Sequence, residues 1–141
     1  MPLKPSKIDI VVHFANGGRL TPEDFVLIEA IRQHRSIIGA GRATGISYRK
    51  CWLMVDALNR TFESPVFATY PGRKEAGSEI TPFGERLVAL YRSMERRSRS
   101  GAAAAMQELE GALNPRYQPR ASGAASEAGS PQQRRQRSRQ S

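Results

Sequence analysis

The chemistry this chain offers is donation of hydrogen bonds and fixed positive charge. Ser47-Tyr48-Arg49-Lys50 sets a hydroxyl, a phenol, a guanidinium and an ammonium at consecutive positions, and Arg73-Lys74 repeats the cationic pair in a glycine-bounded loop. Such groups donate to phosphate oxygens and to base edges; Arg can bond a guanine edge bidentately, whereas Lys acts as a point charge. No nucleophile–base pattern, phosphate loop or paired-carboxylate motif accompanies them, so no enzymatic activity is expected. His13 and His34 have no Cys or second His at ligand spacing, and neither a metal nor another cofactor is expected. Cys51 is the only cysteine, which excludes an intramolecular disulfide and a cysteine-built zinc site.

The elements that must position these donors are marked by their ends. Residues 8–14 are β-rich with partial alternation and read as a short strand closed by Asn16-Gly17-Gly18. Thr21 and Pro22 then supply a cap and a first helical residue, with Glu23 and Asp24 at the positive helix end. Phe25, Ile28 and Ile31 form the buried stripe of that helix, with Leu27 on its flank. Ser36 caps a short helix over residues 37–44, Gly45 makes the turn, and Ser47 caps a third helix reaching residue 62. Tyr48, Cys51, Trp52, Val55, Leu58 and Phe62 share one side of it; Arg49, Lys50, Leu53 and Arg60 share the other. Residues 65–70 read as the best strand in the chain, Glu79-Ile80 as a short return strand, and Thr81-Pro82 as a further helix start. That helix carries Phe83, Leu87, Leu90, Tyr91 and Met94 on one face. Residues 102–113 are again helix-prone, with Gly101 a break or a weak point before them.

Charge and composition agree with a polyanionic partner. The 141 residues carry a formal net charge of +9. Residues 114–141 hold six Arg and one Glu and lack Ile, Leu, Val, Phe, Met and Trp. Such a segment cannot bury enough apolar surface to offset chain entropy and is expected to be a disordered basic tail. No apolar signal region or run of about 18 apolar residues occurs, so a cytoplasmic protein without membrane contact is expected.

A short helix, a glycine turn and a longer helix form a helix-turn-helix candidate, and a hairpin with a basic tip directly behind it has the pattern of a wing. The expected fold class is α+β, mainly α: a winged helix-turn-helix with a C-terminal helical extension and the disordered tail. Residues 1–95 are the expected DNA-binding domain, 96–113 the helical extension and 114–141 the tail. The helix over residues 47–62 would enter a major groove, about 12 Å wide, and a wing over residues 71–79 would reach the adjacent backbone or minor groove.

Ser36-Ile37 through Ala40-Gly41-Arg42, then Gly45-Ile46-Ser47-Tyr48-Arg49-Lys50-Cys51-Trp52, resemble the N-terminal domain of ModE-type molybdenum-responsive bacterial regulators. Val55-Asp56-Ala57-Leu58-Asn59 and Ile80-Thr81-Pro82-Phe83-Gly84-Glu85-Arg86-Leu87 continue the likeness, and the LysR-type helix-turn-helix is the broader relative. The resemblance implies a winged helix, a homodimer and binding to double-stranded operator DNA. With it, Ser36 and Arg42 join Ser47, Tyr48, Arg49, Lys50, Arg73 and Lys74 as candidate DNA-binding residues. Full-length members carry C-terminal molybdate-binding domains; the stretch after Glu95 is too short for them, so molybdate binding is not expected. Trp52 and Cys51 are read as core residues. Tyr48 has two readings, core ring alone or a buried ring whose hydroxyl reaches a phosphate. A protein–protein docking module without specific DNA binding is the alternative function.

Overall fold

Local caps start four of the helices in the computed structural model, which describes residues 4–69 and 77–120. Thr21 closes a capping box around α1 (Pro22–His34): its hydroxyl accepts from the Asp24 amide, and the Asp24 carboxylate accepts from the Thr21 N–H at 2.9 Å. Ser36 caps α2 (Ile37–Thr44) and Ser47 caps α3 (Tyr48–Thr61), by accepting from the amides of Gly39 and Lys50. Thr81 caps α4 (Pro82–Gly101) by accepting from the Gly84 amide at 2.9 Å. Ala102 ends α4, and α5 (Ala103–Gly111) follows with none of its residues buried.

Two antiparallel hairpins complete the described architecture. β1 (Val12–His13) pairs with β2 (Arg19–Leu20), and β3 (Phe67–Thr69) pairs with β4 (Ser78–Ile80), in the register Phe67 to Ile80 and Ala68 to Glu79. The first residue of β4 also touches the α1–α2 corner: the Ser78 amide donates to the Arg35 carbonyl at 3.2 Å, and Ser36 bridges Gly77. The chain is thus mainly helical with two small sheets, an α+β arrangement. It falls into two units, Met1–Ala105 and Met106 onward. In the second unit, the described residues after α5 are exposed, and the Asn114 side chain accepts from the Arg116 amide. Among the described residues no helix is long and apolar enough to cross a membrane.

The core of the first unit gathers around α1. Leu27, Ile28 and Ile31 have no exposed surface, Phe25 stacks on Tyr91 of α4 with ring centroids 3.7 Å apart, and the Tyr91 hydroxyl donates to the Ile10 carbonyl. Cys51, Val55 and Leu58 of α3 and Val66 and Phe67 of the second hairpin close the cluster.

Several expectations are corrected. Leu27 is core rather than flank, because α1 is covered on more than one side. The strand expected over residues 8–14 shrinks to two residues, since Asn16-Gly17-Gly18 turns the chain back into β2, an element the sequence pattern did not announce. Its tip is held by Asn16, which accepts from the Gly18 amide and donates to the Thr61 carbonyl at the end of α3. Leu90 and Met94 face outward instead of joining Leu87 and Tyr91. Tyr48 stands outside the core, and Trp52 and Phe62 are only partly buried against it.

One residue joins α3 to the second hairpin. The Asn59 side-chain oxygen accepts from the amides of Val66 and Phe67 at 2.8 and 2.9 Å, and its amide donates to the Phe67 carbonyl at 3.2 Å. The Val66 carbonyl in turn accepts from the Thr81 amide and hydroxyl. Gly84 must be glycine here, since a Cβ would stand 2.5 Å from that same carbonyl.

Two outcomes follow from this packing. Asn59→Ala strands the Val66 and Phe67 amides and is expected to cost about 2–4 kcal/mol, read as a lower urea midpoint at unchanged m-value. Burial pushes the Cys51 thiol above its ordinary pKa, and its sulfur lies 3.8 Å from the Ile46 carbonyl. Cys51 is therefore expected to react with a thiol reagent at mildly alkaline pH only as fast as the protein unfolds; burst labelling of the native protein would contradict this.

Candidate nucleic-acid interface

The candidate donors converge on the junction between α2 and α3. Ile37 and Ala40 bury one side of α2, which leaves Arg42 in solvent in its last turn. Gly45 takes the left-handed conformation, φ 79°, and its amide donates to the Gly41 carbonyl. The Thr44 hydroxyl donates to the Ala40 carbonyl at 2.8 Å and accepts from the Ile46 amide, so the turn satisfies its own polar groups. Ser47 then opens α3 within three residues of the end of α2.

Helix α3 is held along one stripe, Cys51, Val55 and Leu58, and turns Arg49, Leu53, Asp56, Ala57 and Arg60 to solvent. Its first turn exposes Ser47, Tyr48, Arg49 and Lys50 together. Ser47 uses a lone pair for its cap, which leaves its O–H available as a donor. The Tyr48 ring is 54 % exposed and meets Trp52 edge-on, with centroids 6.2 Å apart. Ile37, Ile38, Gly41, Arg42, Ile46 and Tyr48 line a shallow depression beside the turn.

The electrostatics of this helix end run against the fold. Cations at a helix N-terminus face the positive end of the helix dipole, each at a cost of about 0.3–1 kcal/mol. The first turn of α3 has no acidic residue and carries both Arg49 and Lys50. Lys50 is compensated by Glu23 in the first turn of α1, with Nζ 3.0 Å from a carboxylate oxygen. Among the described residues no carboxylate forms an ion pair with Arg49 or Arg42. Arg42 sits where the dipole favours a cation and so has a structural reason to be there. Arg49 has none. Further along the helix, Arg60 pairs with Asp56 at 3.5 Å.

Of the predicted residues, Arg42, Ser47, Tyr48, Arg49 and Lys50 are all exposed around the α2–α3 junction, and Arg42 and Tyr48 line the same depression. Ser36 stands apart at the start of α2, half-buried, with its hydroxyl oxygen accepting the cap bond and its backbone bridging Gly77. Arg73 and Lys74 lie outside the described residues, as do residues 70–76 generally and the tail from residue 121. Sequence reasoning missed Glu23 as a member of the site. Its position reads as a helix-start carboxylate, and no local pattern signals a partner 27 residues away. His13 and His34 remain in separate places, and no group of acidic, His or Cys side chains among the described residues could hold a metal.

No protein-family model matches the chain. It is 36 % identical over 105 residues to the molybdenum-pterin-binding protein MopB of Rhodobacter capsulatus, a match covering 74 % of this chain and 37 % of that protein. It is 34 % identical over 80 residues to the molybdenum transport protein ModE of Azotobacter vinelandii, covering 56 % and 30 %. To the transcriptional regulator ModE of Haemophilus influenzae it is 27 % identical over 95 residues, covering 67 % and 37 %. The chain spans about a third of the length of these relatives, and it is similar over that span to proteins of the ModE and molybdenum-pterin-binding type.

Proposed function

We propose that this chain is a DNA-binding transcriptional regulator of the ModE type. In this reading α2, the Gly45 turn and α3 form a helix-turn-helix, and β3–β4 with the segment between them form its wing. Residues 47–62 enter the major groove as recognition helix, and residues 71–79 lie on the adjacent backbone or minor groove. Residues 1–95 act as the DNA-binding domain, residues 96–113 as a helical extension and residues 114–141 as a basic tail that adds a diffuse electrostatic attraction.

One observation carries the reading. Arg49 is exposed in the first turn of α3, against the dipole and without an ion-pair partner among the described residues. A guanidinium held there is opposed by the helix dipole and is well placed to donate to a base edge or a phosphate. Ser47, Tyr48 and Lys50 surround it with donors, and Arg42, at the end of α2, faces the flanking backbone. Similarity to proteins named as transcriptional regulators supports the same assignment. A homodimer presents two such helices to successive major grooves. The outward Leu90 and Met94 of α4, with Val26 of α1, are exposed apolar residues that its interface would cover.

The test is binding of a fluorescent duplex, selected from a random pool by the wild-type chain, followed by anisotropy. Arg49→Ala is expected to weaken binding by about 1–3 kcal/mol and to relax the preference at one base position. Arg49→Ala with Lys50→Ala is expected also to flatten the salt slope, by about 0.9 for each phosphate no longer neutralised. Unchanged affinity in the double variant would remove α3 from the interface. A flat salt response of the wild type would favour a protein-docking role instead.

A further inference from the structure

The Lys50–Glu23 pair joins the first turn of α3 to the first turn of α1. Lys50 Nζ lies 3.0 Å from one oxygen of Glu23 and 3.1 Å from the other, and both side chains are about half exposed. An ion pair so open to water contributes little to stability. The fold does not need it to hold α3 in place, because Ser47 caps that helix and Cys51, Val55 and Leu58 anchor it. Its effect falls on the surface itself. It sets a carboxylate at the edge of an otherwise cationic helix end, and it neutralises one of the two cations there.

We infer that Glu23 is a discrimination residue of this surface, which holds Lys50 back from generic phosphate and releases it only to a well-matched site. The inference rests on the DNA-binding reading of α3. A phosphate that approaches the helix end meets Arg49 without an ion-pair partner among the described residues, Lys50 already occupied and the Glu23 carboxylate repelling it. Transfer of the Lys50 ammonium to DNA leaves Glu23 uncompensated beside a polyanion. Only a full set of other contacts offsets that penalty, so it falls hardest on non-specific binding. This is selectivity gained by a built-in repulsive element.

The experiment uses the full chain and a short mixed-sequence duplex, with affinity measured by anisotropy across a salt series. Glu23→Gln removes the charge that engages Lys50. It is expected to bind this duplex several-fold more tightly at low salt, with a slope steeper by about 0.9, the value for one additional phosphate neutralised. Glu23→Asp keeps the acidic first turn of α1 and draws the carboxylate back, and is expected to shift the slope the same way by less. In a Lys50→Ala background the effect of Glu23→Gln on the slope should vanish, because the cation it frees is gone. Thermal unfolding by circular dichroism checks that each variant is folded. Duplex binding with equal slopes for wild type and Glu23→Gln overturns the inference, and so does an effect that persists without Lys50, which would be bulk charge alone. If neither wild type nor Glu23→Gln binds duplex at low salt, the DNA-binding reading fails, and the inference with it.

Discussion

Helix α1 is covered from several sides, and the other elements of the first unit take their places from it. Leu27, Ile28 and Ile31 are fully enclosed, and burying a side chain of that size stabilises by roughly 1.5–3 kcal/mol. The remaining elements are what encloses them. The α1–α2 corner receives the start of β4, the Phe25–Tyr91 stack brings in α4, and Arg32 reaches Glu85 at 2.9 Å on the rim. Tyr91 extends the same contact to the N-terminal segment through Ile10. With so much of the core supplied around α1, α3 needs to bury only a narrow stripe. That arrangement leaves its opposite face and its first turn exposed.

Two kinds of requirement meet at the first turn of α3. Folding asks for a cap and an anchored stripe, and Ser47, Cys51 and Val55 meet both needs. Folding would also prefer acidic residues in that turn, as α1 has with Glu23 and Asp24. Arg49 and Lys50 violate the preference, and among the described residues only Lys50 is compensated. A local rule broken without a local gain is the kind of inconsistency that functional surfaces create. The neighbouring turn obeys every rule: Thr44 and Gly45 satisfy its polar groups and its backbone angles without outside help.

What could be read from the sequence was what is decided locally. Thr21, Ser36, Ser47 and Thr81 announce their helices because a cap acts within three residues, and Gly45 announces its turn because few other residues take that conformation cheaply. The donor cluster from Ser47 to Lys50 was legible for the same reason: a capped helix start fixes where its first turn begins, and all four residues there are exposed. The features that were hidden depend on what lies across the gap. Leu27 is core because of what covers α1, and Leu90 and Met94 are exposed because nothing described covers them in the first unit. β2 is two residues long, too short for alternation to register. The Glu23–Lys50 contact exists only once two helix starts have been brought side by side.

Val66 ties three elements at a single residue. Its amide belongs to Asn59 of α3, its carbonyl to Thr81 at the start of α4, and Gly84 leaves just enough room for that carbonyl to sit against the helix. Both ends of the β3–β4 excursion are thereby welded to the helical frame before the chain departs and after it returns. The other end of β4 is held separately, where the Ser78 amide donates to the Arg35 carbonyl and Gly77 bridges Ser36. Clamped to α3 and α4 at one end and to the α1–α2 corner at the other, the hairpin acts as a strut that fixes how those helices sit against one another.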